Sequence, residues 1–274
     1  MAELSRLSLN TATLREQWTL AECIEGCVRH GVPGIAPWRD KLAELGPERA
    51  ARMIRDAGLR VTGLCRGGMF PVGDPGKHQA VIDDNRRAVD EALAIDAPCL
   101  VLVVGGIPFG SKDLAGARQQ VHDGIATLLE YARPCGMPLA IEPLHPMYAA
   151  DRACLNTMEQ ANDLCDELGA GLGIAVDVYH VWWDPKLRQE IKRAGAERLL
   201  AFHICDWLVP TRELLTDRGM MGDGVIDIPL IRSWVEAEGY DGACEVEIFS
   251  SRDWWRRDPN EVMTIMKSRM LEVV

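Results

Sequence analysis

Gly171-Leu172-Gly173-Ile174-Ala175-Val176-Asp177-Val178-Tyr179-His180 is the stretch on which the reading of the fold turns. Leu172 to Val176 is short and apolar or glycine throughout, with no period-two alternation. Such a run reads as a strand buried on both faces, the kind found in a parallel sheet covered by helices. It stops on a carboxylate, and an imidazole follows three residues later. Packing requires neither polar group there.

Working outward, the same unit recurs. Residues 6–10, 34–38, 60–65, 99–104, 139–142, 198–203 and 242–248 read as seven further strands. Helical spacing of apolar residues separates them at 19–30, 47–57, 78–95, 114–132, 156–168, 185–193, 229–238 and 259–271. In the first of these, Leu20, Cys23, Ile24 and Cys27 fall on one face and Gly31 stops the helix. Pro229 stands in a first turn, where its missing N–H removes no hydrogen bond. Eight strand–helix units fit either an open doubly wound sheet or a closed barrel. No phosphate-loop or dinucleotide glycine signature follows the first strand, and no linker divides the chain. The expectation is therefore a single-domain (β/α)8 TIM barrel over residues 1–274.

The balance of 30 basic against 41 acidic side chains, a formal charge of -11, disfavours nucleic acid or an anionic membrane as a partner. No apolar run reaches the length of a membrane span, and the opening MAELSRLSLN has no secretory pattern, so a cytoplasmic location is expected. The nine cysteines are scattered. Cys23 and Cys27, the one close helical pair, read as small core residues rather than a thiolate metal pair.

In a barrel of this kind the chemistry lies at the carboxyl ends of the strands. The fifth predicted strand ends at Glu142, the sixth at Asp177 and the seventh at His203, and the eighth carries Glu247 near its end. Three carboxylates on one rim repel one another, and a divalent cation removes that repulsion. The set of Glu142, Asp177, His203 and Glu247 therefore reads as a metal site. Oxygen-rich donors with one imidazole suit Mn first, with Mg, Co, Zn or Fe also compatible. His180 and His145, each three residues past one of these carboxylates, fit contacts with substrate hydroxyls or support of the ligands. Arg218 sits in the glycine-rich run TDRGMMGDG. Trp38, Trp182, Trp183 and Trp207 follow strands, and indoles there suit the apolar face of a sugar ring. Trp254-Trp255-Arg256-Arg257 fits an aromatic contact between copies of the chain, and so a homo-oligomer, or else a lid over the last strand. No phosphate-binding cluster is obvious, which favours a non-phosphorylated substrate.

The order and spacing of IEP at 141–143, DVYH at 177–180, FH at 202–203, GDGVID at 222–227 and EVEIF at 245–249 resemble the xylose-isomerase-like TIM barrels. This is the sugar phosphate isomerase/epimerase family that includes ketose 3-epimerases, hydroxypyruvate isomerase and inosose dehydratase. The resemblance implies metal ligation by Glu142, Asp177, His203 and Glu247, with Glu142 and Glu247 as the acid–base pair. It places His180 and Arg218 on substrate oxygens. The implied activity is isomerisation or epimerisation of a sugar or polyol-derived ketone by proton transfer through an enediolate. WWDP at 182–185 and the long segment 205–221 depart from a simple ketohexose epimerase. Elimination from a keto-inositol or keto-sugar is thus the alternative, and a non-catalytic sugar-binding barrel a further one.

Overall fold

A computed structural model describes residues 3–274. The strands are β1 Leu7–Asn10, β2 Gly34–Ala36, β3 in two pieces, Arg60–Val61 and Leu64–Gly68, β4 Leu100–Val103, β5 Leu139–Ile141, β6 Leu172–Asp177, β7 Leu199–Ile204 and β8 Cys244–Val246. The long helices are α1 Leu20–His30, α2 Pro47–Asp56, α3 His78–Ala94, α4 Leu114–Ala132, α5 Met158–Leu168, α6 Leu187–Arg198, α7 Ile228–Ala237 and α8 Pro259–Glu272. The strands pair in parallel, with β1 between β2 and β8, and β8 followed by β7, β6, β5, β4 and the second piece of β3. The first piece of β3 pairs with β2, and a bridge from Trp38 to Cys65 continues that pairing. The barrel closes through β3, interrupted only at Thr62-Gly63.

Two apolar layers result. The larger lies between the strands and the helices, and it takes in Cys23, Ile24 and Cys27 of α1. Burial raises both thiols, Cys27 to about 12, in keeping with their place in the core. The smaller fills the barrel with Cys65, Cys99, Val101, Ala140, Ala175 and Ala201. Small side chains on β4 to β7 leave room inside for the longer polar ones of β1, β7 and β8.

The single-domain TIM barrel expected from the sequence is the fold observed, with shifted element ends. β2 stops at Ala36 because Pro37 has no N–H to donate. The eighth strand is confined to Cys244–Val246, so Glu247 stands just past it. α6 runs on to Arg198, with Gly195 out of helical geometry at φ 60°. The segment expected as an open connection after β7 contains a short antiparallel ribbon, Asp206–Trp207 with Arg218–Gly219. The aromatic stretch expected to contact another copy is used within the chain. Trp254 is buried beneath the guanidinium of Arg257, and the Trp255 indole donates to the Ala12 carbonyl at 2.9 Å. Among the described residues, no helix is long and apolar enough to cross a membrane.

Candidate metal centre

Register carries four strand ends to one point. Asp177 pairs with His203 across β6 and β7, and His203 pairs with Glu245 across β7 and β8. Side chains alternate along a strand, so Glu247 shares the inner face with Glu245. One ligand atom from each of Glu142, Asp177, His203 and Glu247 lies within 4.8 Å of the others, and all four residues are buried. His203 Nδ1 stands 3.0 Å from Glu142 Oε1 and 3.8 Å from Glu247 Oε2.

Charge is the governing feature. Burial pushes the Glu247 carboxyl up to about 8 against the pull of Arg218 and His203, with Glu142 and Asp177 adding to the rise. For His203, burial resists the charge, yet Glu245, Glu142 and Glu247 outweigh it and hold the imidazole well above its usual range. For Asp177, burial opposes ionisation, but Arg218 and His180 overcome it and the carboxyl lies below its usual value. Arg218 Nη1 donates to Asp177 Oδ2 at 2.8 Å and to Glu247 Oε2 at 3.1 Å. One guanidinium and one imidazole thus face four buried carboxylates, Glu142, Asp177, Glu245 and Glu247, and the proton retained on Glu247 marks the missing positive charge. The donor set fits a divalent cation.

The surrounding shell is built locally. Asp177 Oδ1 accepts from the Tyr179 N–H at 2.8 Å, capping the turn that carries His180. Burial lowers His180 to about 3 despite Asp177, with Arg218 adding to the fall, so its ring is neutral near pH 7. Arg218 Nη2 lies 3.0 Å from His180 Nε2 and arginine only donates. The imidazole proton therefore sits on Nδ1, a buried atom with no partner among the described residues. On the opposite side, Asn10 Nδ2 donates to Glu245 Oε1 at 2.7 Å and to Glu247 Oε1 at 3.1 Å. The Trp38 indole donates to Glu247 Oε1 at 3.3 Å. The Thr62 hydroxyl donates to Glu245 Oε2 at 2.9 Å.

Above this cluster opens a cavity of about 180 Å3 with Trp38, Glu142, His180, Arg218 and Glu247 on its wall. Charged groups converge on it beside the apolar faces of Trp38 and Phe249, as in a small-molecule site. Of the residues singled out from the sequence, His145 is not on the wall. Its ring stacks on Trp207, centroids 4.9 Å apart, and its Nδ1 accepts from the Met147 N–H, so one of its two ring nitrogens serves a local turn. Trp182, Trp183 and Trp207 are likewise loop core: Trp207 packs on Tyr179, and the Trp183 indole donates to the His180 carbonyl.

Sequence reasoning passed over Asn10, Glu245, Arg15, Arg66 and Arg152. Asn10 ends β1 and had the strand-end signal. Glu245 reads as a mid-strand charge, and only the register shows that it faces inward. Arg66 sits in the Arg66-Gly67-Gly68 run, which reads as a turn. Arg15, Arg66 and Arg152 all line the same cavity.

Comparison with known proteins agrees with this architecture. The chain is 57% identical to protein SMc04130 from Sinorhizobium meliloti 1021, a solved structure, with a TM-score of 0.97 and 98% of each chain covered. It is 22% identical over 281 residues to an inosose isomerase from Halalkalibacterium halodurans, covering 98% of this chain and 96% of that one. The structure of the IolI protein with a bound zinc atom superposes with a TM-score of 0.84 at 20% identity, again over 98% of each chain. The family model for the xylose isomerase-like TIM barrel matches residues 24–267, and this chain belongs to that family.

Proposed function

We propose that the protein is a divalent-metal-dependent isomerase or epimerase acting on a sugar or polyol-derived ketone. Glu142 and Glu247 exchange the proton on the carbon alpha to the carbonyl. The observation that carries this reading is that these two carboxylates belong to the four-residue cluster and also reach the cavity wall. The inosose isomerase relative and the zinc-bearing IolI neighbour lend support.

Glu142, Asp177, His203 and Glu247 would hold the cation, with Mn the first choice for so carboxylate-rich a set. A cation bound there supplies Lewis-acid polarisation of the substrate carbonyl. The remaining work falls to side chains. Asn10 and Trp38 hold Oε1 of Glu247 and Arg218 donates to Oε2, which together aim the carboxylate that takes up or returns a proton. His203 Nδ1 and Glu142 Oε1 stand 3.0 Å apart, close enough to serve one cation together, which would hold Glu142 in place. His180, with an unpartnered Nδ1–H, and Arg218 donate to substrate oxygens. Return of the proton to the opposite face gives an epimer, and return to the neighbouring carbon gives an aldose–ketose isomer.

The test is exchange of the alpha proton in deuterated water, followed by NMR on the Mn-loaded protein. Free ketoses, keto-inositols and 3-keto-glycosides form the panel. Exchange in at least one compound, abolished by chelation and restored by Mn, is expected. A purified protein that holds no divalent cation and gains no exchange on adding Mn or Mg rules the scheme out. Release of a hydroxyl instead of simple exchange identifies an eliminating enzyme.

A further inference from the structure

The cavity above the carboxylate cluster has a second, oppositely charged side. Arg15, Arg66 and Arg152 line it together with Glu142 and Glu247. Two of these arginines have counterions. Arg15 pairs with Asp40 and lies over the rings of Trp38 and Phe249 at 5.4 and 5.9 Å. Arg152 has only a long contact, 3.9 Å, with the exposed Asp151. Arg66 is half-buried and has neither an ion pair nor a hydrogen bond among the described residues. Burial and the neighbouring Arg152 both lower its pKa below the usual arginine value. A guanidinium taken from water beside a second one is unfavourable unless an anion joins them.

The backbone holds Arg66 in that position. Cys65 pairs with Val101 and Gly67 with Leu102, so Arg66 is the extra residue of a bulge in β3. Bulges re-aim side chains. The next residues are clamped: Asn85 of α3 accepts from the Gly68 N–H at 2.6 Å and donates to its carbonyl at 2.9 Å. A Cβ on Gly68, whose φ is +107°, would stand 2.0 Å from the Val103 carbonyl oxygen. A wider opening of about 480 Å3 adjoins the first and shares Arg15, Trp38 and Arg66 with it; its two carboxylates, Asp40 and Asp84, are paired with Arg15 and Arg39. There is room beside Arg66 for a charged substituent.

We propose that the substrate carries an anionic group, a carboxylate or a phosphate, bound by Arg66 and Arg152 while its ketone lies at the carboxylate–histidine cluster. This rests on the isomerase reading above; a carboxylate keeps to the non-phosphorylated substrate expected from the sequence, and a phosphate departs from it. The acidic cluster repels an anion and the arginines attract it, so the two sides orient the substrate end to end.

The experiment is titration calorimetry on the Mn-loaded protein with D-fructose, D-fructose 6-phosphate and 5-keto-D-gluconate. It is run on the parent and on the Arg66→Gln, Arg66→Lys and Arg152→Gln variants. At least one anionic probe is expected to bind roughly tenfold or more tightly than fructose, the increment of one charge-assisted contact. That ratio collapses in Arg66→Gln and partly returns in Arg66→Lys, while fructose affinity hardly moves. The preferred anion tells carboxylate from phosphate. Equal affinities, including no measurable binding of any probe, overturn the proposal, as does a preference that survives Arg66→Gln, since the metal alone then attracts the anion. Alpha-proton exchange is recorded on the same samples. Exchange at fructose without anion preference removes this inference and leaves the isomerase reading standing. Anion preference without exchange in any probe does the reverse.

Discussion

The rim of the barrel has two halves built to opposite charge. Around β5 to β8 the strand ends present Glu142, Asp177, His203 and Glu247, drawn so close that one buried carboxyl keeps its proton to about pH 8. Around β1 to β4 they present Asn10, Trp38, Arg66 and Val103, and the nearby carboxylates Asp40 and Asp84 are neutralised by Arg15 and Arg39. The first half is incomplete without a cation, and Arg66 in the second is incomplete without an anion. A substrate with a ketone at one end and a charge at the other satisfies both, which is more than either half says separately.

The comparison breaks most easily at Glu247. Glu247→Gln keeps the shape and the contacts to Oε1 but removes the base and a ligand charge. Alpha-proton exchange should fall by about 10² to 10⁴, the usual worth of a positioned acid or base. Binding of the substrate identified from the ketone panel should change only a few-fold, because its anionic end is held elsewhere. Exchange at the parent rate in this variant would falsify the assignment.

Proton competition gives the next effect. In the metal-free protein Glu247 and His203 both have folded pKa values above their unfolded ones. Their contribution to stability is complete below the unfolded values and is lost as pH rises, for Glu247 through about 8. His180, lowered to about 3 from 6.5, acts in the opposite sense and costs stability as pH falls below 6.5. Metal displaces the protons on Glu247 and His203, so its affinity must climb with pH over that window. Melting temperature with and without excess Mn, from pH 5.5 to pH 8, should show a gap that widens with pH. A constant gap means that these two groups are not ligands.

The acidic half was legible from the sequence, and the cationic half was not. Glu142, Asp177 and His203 each end an apolar run, so a single rule, chemistry at the carboxyl ends of strands, found them. His145 obeyed a similar spacing but turned onto Trp207, because a loop histidine follows local packing and not strand register. Arg66 was invisible for the converse reason. A bulge shifts which face a residue takes, and the Gly-Gly after it imitates a turn. Glu245 was hidden because only strand register turns it inward, whereas Asn10 ends β1 and the same rule would have found it.

Asn10 is where the halves touch, and its removal tests whether they are independent. Asn10→Ala takes a donor from both Glu245 and Glu247. Loss of such a supporting bond typically costs about 10- to 100-fold in metal affinity, measured by competition with a chelating dye. An unchanged affinity would show that the ligands hold themselves in place without help from β1.

The smallest effect should separate the halves altogether. A Cβ on Gly67 would stand 2.8 Å from Asn85 Oδ1 and 2.9 Å from Leu102 Cδ2. Asn85 cannot retreat without giving up its bonds to Gly68, so β3 must move instead. Gly67→Ala should therefore destabilise by about 1–3 kcal/mol, read as a lower melting temperature. The displaced segment carries Arg66, so affinity for the preferred anionic probe should fall as well. Metal affinity should not, because none of the four ligands lies on β3 or touches Asn85. A parallel loss of metal affinity would mean that the rim responds as one piece, and that the division between a cationic and an acidic half describes charge alone and not mechanics.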